Sequence, residues 1–450
     1  MKVCIIGTGY VGLTTAIALA YIGHEVKCID QNPALVECLS DGRVPIHEPG
    51  VKELLAMNPP LSFGDWESFD PNPDVIFIAV GTPRKENGDA DLAYVEAVAA
   101  EIGQRVDEKN HLTVVVKSTV PLGSARRVES IITANLRERY VTTRLAVASN
   151  PEFLREGAAL YDTFYPDRIV VGANDNHAIN TLRELYTPIL QQTFTPPSSI
   201  PHPQGNKLPV FLTTTPTSAE LIKYATNAFL AMKISFINEF AGLAEHVGAD
   251  ITEVARGIGL DERIGMRYLM AGAGWGGSCF GKDVSAILHT ANQYNYNMHL
   301  LEATVKTNHR QHESIVKKLQ THLKVIRGTT IGMLGIAFKP NTDDVRDAPS
   351  ISIAQRLLEL GASVKAYDPV AIPTCRQYHP NLDIKYCDSP EVLAENCDTL
   401  VLVTEWDEFR HLDYAKLGRK MRQQIIIDGR NVLNPQKLIS AGFLYQGVGR

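Results

Sequence analysis

Apolar runs closed by glycine or a small polar residue recur along this chain, and each is followed by a helix-like period. Val3-Cys4-Ile5-Ile6 is a short apolar run of the kind found in buried parallel strands. It ends in Gly7-Thr8-Gly9-Tyr10-Val11-Gly12, and apolar positions at Leu13, Ala16, Ile17 and Ala20 then predict a helix that stops at Gly23. A second strand is expected over 25–29, with Asp30 at its end. The rhythm continues with strands over 74–80, 112–117 and 145–148, and with helices over 91–105 and from near Gly123. It resumes after Gly328, with strands over 329–334, 363–367, 399–403 and 424–428 and a helix over 350–360. Strands alternating with helices predict an α/β protein built on parallel sheets.

Between these two stretches the pattern changes. Six prolines, at 196, 197, 201, 203, 209 and 216, break the segment 193–216, which is expected to be an exposed loop and neither a helix nor a central strand. Thr217 and Glu220 then read as a capping box. Apolar positions from Leu221 through Phe229, Ile237, Phe240 and Leu243 to a stop at Gly248 predict one helix of roughly 45 Å. It is apolar on much of its circumference, which suits burial between domains or subunits. Lys223 and Asn227 project from one face of it. A second long helix is expected over 299–324.

Composition narrows the class. Length 450 suggests about three domains, and 44% hydrophobic with 21% charged residues is ordinary globular usage. A formal net charge of −6 argues against a general binder of nucleic acid or membrane surfaces. The seven cysteines form no C-x-x-C pair, and Cys4 and Cys28 fall in apolar strands as core residues. That usage suits a reducing cytoplasm, and neither a signal peptide nor an apolar run of transmembrane length is read in the sequence.

Three stretches carry chemistry. G-x-G-x-x-G is weak alone, but here it follows a strand, opens a helix and is followed 18 residues after Gly12 by Asp30. The glycines admit a pyrophosphate, and Asp30 would accept from an adenosine ribose and repel a 2′-phosphate, so NAD is expected over NADP. Gly272 to Asp283 reads G-A-G-W-G-G-S-C-F-G-K-D, a glycine-dense loop with Cys279 just ahead of a helix that Asp283 would cap. The helix dipole there favours thiolate, although Cys279 taken alone is as compatible with a small buried hydrophobe. Thr82, Thr119 and Glu152 sit at strand ends, where ligands bind in doubly wound sheets, and Glu152 and Glu156 would share a face if their stretch is helical. Lys339, Arg346 and Arg430 suit a phosphate, or structural pairing with Asp343, Asp344 or Asp347. The last α/β stretch lacks a G-x-G-x-x-G, so a second dinucleotide is not expected there.

In chain order the motifs are G-T-G-Y-V-G-L, V-G-T-P at 80–83, S-T-V-P at 118–121, N-P-E-F-L-R-E-G at 150–157, the helix segment 219–239, G-W-G-G-S-C-F-G-K-D at 274–283 and F-K-P-N-T-D-D-V-R at 338–346. Together they resemble the nucleotide-sugar 6-dehydrogenases of the UDP-glucose/GDP-mannose dehydrogenase family over nearly the whole chain. The resemblance implies two Rossmann-like domains joined by a long central helix: an NAD-binding domain over 1–215, a dimerisation region over 216–325 and a UDP-sugar-binding domain over 326–450. It implies a homodimer that oxidises UDP-glucose at C6 with two NAD, with GDP-mannose or a UDP-N-acetylhexosamine as the alternative substrate. Cys279, Lys223, Asn227, Asp283, Glu152 and Thr119 would be catalytic. Gly7, Gly9, Tyr10, Val11, Gly12, Asp30, Thr82, Thr119, Glu156, Lys282 and Arg346 would line the NAD site. Glu152, Phe153, Leu154, Lys223, Asn227, Tyr268, Gly274, Gly276, Phe338, Lys339 and Arg430 would hold the sugar nucleotide, joined by Arg263 from the neighbouring subunit. Trp275 stands where the family usually has Phe or Tyr, and Gly281 replaces a common Pro, which is expected to loosen the loop after Cys279. A two-electron dehydrogenase with a structural Cys279 and a non-catalytic NAD sensor are the competing classes.

Overall fold

The computed structural model describes residues 1–205 and 207–450. It divides into two compact units, Met1–Thr226 with Ser285–Tyr294, and Asn227–Val284 with Asn295–Arg450. The long helix Pro216–Val247, 32 residues and about 48 Å, begins in the first and ends in the second.

Among the described residues the first unit holds an eight-stranded sheet in the order β3-β2-β1-β4-β5-β6-β7-β8. Its strands are β1 (Lys2–Ile6), β2 (Glu25–Ile29), β3 (Leu61–Gly64), β4 (Val75–Ile78), β5 (Leu112–Val116), β6 (Leu145–Ser149), β7 (Arg168–Gly172) and β8 (Val210–Thr214). All neighbours are parallel except β6 with β7. Strand β1 shows why: Val3 and Ile5 enter a core with Ala16, Leu19 and Leu182, while Cys4 and Ile6 enter another with Ala99, Ile102 and Ile132. A strand covered on both faces needs an unbroken apolar run. The order reverses at β1, which pairs with both β2 and β4, and this switch point opens a crevice beyond the strands' carboxyl ends.

The second unit has β9 (Thr330–Leu334), β10 (Ser363–Tyr367), β11 (Ile384–Tyr386), β12 (Thr399–Leu402), β13 (Ile425–Asp428) and β14 (Leu444–Gln446). They form an all-parallel sheet in the order β11-β10-β9-β12-β13-β14, with its switch at β9. Helix His299–Leu323 packs Ile315, Val316 and Leu319 into this unit's core.

Several local readings are corrected. The proline-rich stretch is not loop throughout: Val210–Thr214 pairs along β7 as an edge strand, with Pro209 and Pro216 just outside the ladder. Asn206, within that stretch, lies outside the described residues. Thr217 and Glu220 do not form a capping box. The Ser218 N–H donates to Thr215 Oγ at 3.2 Å. Glu220 instead accepts from the backbone N–H groups of Gly123 and Ala125, at 2.6 and 2.9 Å. It therefore satisfies the orphan donors of another helix, Ser124–Glu138, 97 residues away at Gly123.

Candidate active site

The glycine turn is built for close approach. Gly7 has φ +97°, and a Cβ there would stand 2.8 Å from the Ala79 carbonyl oxygen. A Cβ on Gly12 would run into the Gly7 carbonyl, whereas the space beside Gly9 is open among the described residues. Helix Tyr10–Tyr21 starts at once, so the N–H groups of its first turn, Tyr10 and Val11 among them, lie beside that open backbone. Asp30 Oδ2 accepts from Thr8 N–H at 2.8 Å and Thr8 Oγ at 2.7 Å, and Oδ1 accepts from Asn32 N–H at 3.0 Å. A helix-start anion cradle with a half-buried carboxylate one strand over fits a dinucleotide with a free ribose diol.

At the ends of β5 and β6 the same unit buries a charged cluster. Glu152 Oε1 accepts from Lys223 Nζ at 2.7 Å and Oε2 accepts from Leu154 N–H at 2.6 Å. Both side chains are under a tenth exposed. Burial pushes the Glu152 carboxyl up, but the Lys223 charge and hydrogen bond, the Leu154 N–H and the Lys117 charge outweigh it and hold the carboxyl below its usual range. The Phe153 ring carries the Arg168 guanidinium at 4.0 Å and faces Lys223 Nζ at 5.7 Å. Thr119 is half-buried, and its carbonyl accepts from Thr82 Oγ at 2.8 Å. Residues 151–155 form no helix, so Glu152 and Glu156 are not aligned on a helical face. Glu156 lies in the turn that follows, half-buried.

In the second unit the cysteine loop is held by amides. Asn308 accepts from Trp275 N–H at 2.8 Å and donates to its carbonyl at 2.9 Å. Gln311 donates to the Gly272 carbonyl at 2.8 Å, and Asn238 accepts from Gly272 N–H at 2.8 Å. The Trp275 indole N–H reaches Ser235 Oγ at 3.0 Å, and the ring meets Phe280 edge-on. Gly274 and Gly277 have φ +110° and +88°, and a Cβ on Gly277 would stand 2.7 Å from the Phe338 ring. The chain then enters helix Phe280–Gln293, with Cys279 immediately before it. The helix begins earlier than its sequence suggests, so Asp283 is not its cap. It lies in the first turn, 1% exposed, with Asn227 Nδ2 on Oδ2 and Lys282 Nζ on Oδ1, both at 2.6 Å. Gly281 does not loosen a loop either. It is helical, and a Cβ there would stand 2.5 Å from the Asp347 carboxylate. A Cβ on Gly276 would collide with the Asp347 carbonyl.

Cys279 is half-buried, while Cys4, Cys28, Cys375, Cys387 and Cys397 are buried. Burial pushes the Cys4 thiol up to about 12 and Cys397 up to about 11, which removes both from thiolate chemistry. Of the remaining expected residues, Arg346 pairs with Asp344 at 2.7 Å, the structural alternative. Arg430 is spent on backbone, donating to the carbonyls of Val403, Gly274 and Phe338 at 2.6, 3.0 and 3.3 Å, and it pairs with Glu405. It braces the cysteine loop. Lys339 Nζ lies over the Phe338 ring at 5.3 Å. Tyr268 has φ +67° and borders Phe280. Arg263 is 88% exposed at its side chain and paired with Asp261 at 2.5 Å.

Sequence reasoning missed Lys117, Glu48 and the Asn308–Gln311 clamp. Glu48 takes the Tyr10 hydroxyl and accepts from Gly157 N–H at 2.6 Å and Ala159 N–H at 2.7 Å, tying the glycine turn to the 150–157 loop. Polar residues spaced i, i+3 on the core face of a long helix were the one available signal for the clamp.

A dinucleotide cradle in an α/β unit, joined in one chain to a thiol at a helix start, defines an NAD-dependent oxidoreductase. Residues 1–190 match the NAD binding domain of the UDP-glucose/GDP-mannose dehydrogenase family, 217–310 its central domain and 332–435 its UDP binding domain. The chain is 42% identical to UDP-glucose 6-dehydrogenase TuaD of Bacillus subtilis, covering 100% of this chain and 93% of the relative. It is 43% identical to the UDP-glucose 6-dehydrogenase of Rhizobium meliloti, covering all of both. The solved UDP-glucose dehydrogenase of Pyrobaculum islandicum superposes with TM-score 0.86 at 38% identity, over 100% of this chain and 97% of that one. The chain belongs to the UDP-glucose/GDP-mannose dehydrogenase family. Among the described residues no helix is long and apolar enough to cross a membrane.

Proposed function

We propose that this protein oxidises UDP-glucose at C6 to UDP-glucuronate in two successive two-electron steps, through a covalent adduct on Cys279. What supports this most is the setting of Cys279: half-buried, at a helix start, with Asp283 in the same first turn fixed by Asn227. NAD, when bound, supplies the hydride acceptor, once for each step. Gly7, Gly9, Tyr10, Val11, Gly12, Asp30, Thr82, Thr119, Glu156, Lys282 and Arg346 would line its site.

Lys223 and Asn227 donate toward the C6 oxygen and stabilise its anionic character as the hydroxyl proton leaves. A carboxylate, Asp283 or Glu152, accepts that proton, and Asp283, Glu152 and Thr119 position or activate water. Cys279 thiolate adds to the C6 aldehyde, and the resulting thiohemiacetal loses a second hydride and a proton to leave a thioester. Water then cleaves the C–S bond, releasing the carboxylate and restoring the thiol. Phe153, Leu154, Tyr268, Gly274, Gly276, Phe338, Lys339 and Arg430 shape the sugar-nucleotide site, Arg430 by bracing Gly274.

The domain assignment that accompanies this reading is NAD binding over 1–215, dimerisation over 216–325 and UDP-sugar binding over 326–450. A homodimer is part of it. Phe229, Phe236, Phe240, Leu243 and Val247 are exposed on one stripe of the long helix, an apolar face suited to a second copy. Arg263 then reaches the partner's site. The setting is the cytoplasm, where Cys279 stays reduced, and the product feeds polysaccharide assembly. Turnover of UDP-glucose against GDP-mannose and UDP-N-acetylglucosamine, with products weighed by mass spectrometry, tests the reading. UDP-glucuronate as the main product is expected, and preference for either rival reassigns the substrate. Cys279→Ala is expected to lower turnover by about a thousandfold or more.

A further inference from the structure

Lys117 has no part in the reaction described above, yet it is built into the same pocket. It follows β5 directly and is 8% exposed. Its Nζ lies 3.4 Å from Asn150 Oδ1. That oxygen already accepts from the Tyr186 hydroxyl at 2.7 Å, and Asn150 Nδ2 is fixed to the Val170 carbonyl at 2.8 Å. Asn150 precedes Glu152 by two residues, and Glu152 is clasped by Lys223. Two amines and one carboxylate are thus buried together, supplied by the end of β5, the end of β6 and the long helix. The other ionisable groups nearby are occupied or uncharged. Tyr186 is buried, which pushes its hydroxyl up and keeps it neutral. Glu220 is bound to Gly123 and Ala125, and Arg168 lies on the Phe153 ring.

A buried ammonium with one long hydrogen bond costs stability unless it is compensated elsewhere. The available compensation is the Glu152 carboxylate. We propose that Lys117 is a positioning residue for the reaction, its buried ammonium keeping the Glu152 carboxylate charged and aimed at Lys223. This deepens the function proposed above and rests on it. Burial lowers the Lys117 amine to about 8, with Glu152 opposing the shift and Lys223 adding to it. The ammonium is therefore charged in the pH range where Glu152 takes up its proton. Removing it lets Glu152 protonate at higher pH.

The test compares wild type, Lys117→Met and Lys117→Arg, full length, with UDP-glucose and NAD from about pH 3 to 10, so that the acid limb of Glu152 falls inside the window. In Lys117→Met the acid limb of kcat/KM is expected to move up by about one pH unit, and Lys117→Arg returns it. An unmoved limb in Lys117→Met, or equal loss in both variants at every pH, overturns the proposal. Folding supplies a second readout. The folded-state value near 8 lies below the ordinary lysine value of 10.5, so the unfolded chain binds more protons between the two. Wild-type Tm should therefore gain on that of Lys117→Met as pH rises from 7 to about 9.5, and a constant gap contradicts an amine held below its ordinary value by burial. If wild type turns over no UDP-glucose at any pH, the functional reading fails while the Tm comparison still decides the state of Lys117.

Discussion

The two units repeat one device with opposite outcomes. In the first, Gly7 at φ +97° follows β1, and its N–H donates to the Ile29 carbonyl at the end of β2. In the second, Gly335 at φ +95° follows β9, and its N–H donates to the Tyr367 carbonyl at the end of β10, also at 2.8 Å. An aspartate follows in each, Asp30 and Asp368. Three donors reach Asp30. Five reach Asp368: the N–H groups of Ile336, Ala337, Val370 and Ala371, and the Trp406 indole. A carboxylate offers about four lone-pair sites. Asp30 has capacity left for a ribose among the described residues, whereas Asp368 is saturated. Thr404 stands where a Gly335 Cβ would go, and the next helix waits until Pro349. The same turn holds a ligand where a helix starts beside it and serves as structural glue where side chains fill it.

The largest break in that comparison is Asp368→Ala. It strands five donors, four of them buried, and the expected loss is about 4 kcal/mol or more in urea unfolding of the second unit. Affinity for NAD, measured on whatever folded fraction remains, should hardly change. Asp30→Ala reverses the pattern. It should cost about 1 kcal/mol of stability but raise KM for NAD by about 10- to 100-fold, the worth of one or two charge-assisted hydrogen bonds. A stability loss at Asp30 as large as that at Asp368 would erase the distinction. Glu220→Gln is the mildest change, losing charge on the Gly123 and Ala125 N–H groups for about 1 kcal/mol in thermal unfolding.

The pattern of strands and the ordered motifs were legible because both are local: an apolar run needs no partner to be read, and glycine spacing is written in the chain. Strand β8 was hidden because its prolines sit just outside the ladder, where they are harmless. Glu220 was misassigned because a box-like spacing cannot reveal that a helix 97 residues back at Gly123 offers better donors. Lys117 and the Asn308–Gln311 clamp were hidden because polar residues read as surface until the fold buries them. Asp283 was visible as chemistry but misplaced by one helical turn, since Phe280, Gly281 and Lys282 carry no start signal of their own.

The central claim is four-electron oxidation through Cys279, and it is tested most directly by counting NADH formed per UDP-glucose consumed, with the product identified by mass. Two NADH and one glucuronate per sugar nucleotide is the expected result. One NADH, with an aldehyde or ketone as the released product, would contradict the thioester route and leave only the dinucleotide cradle standing.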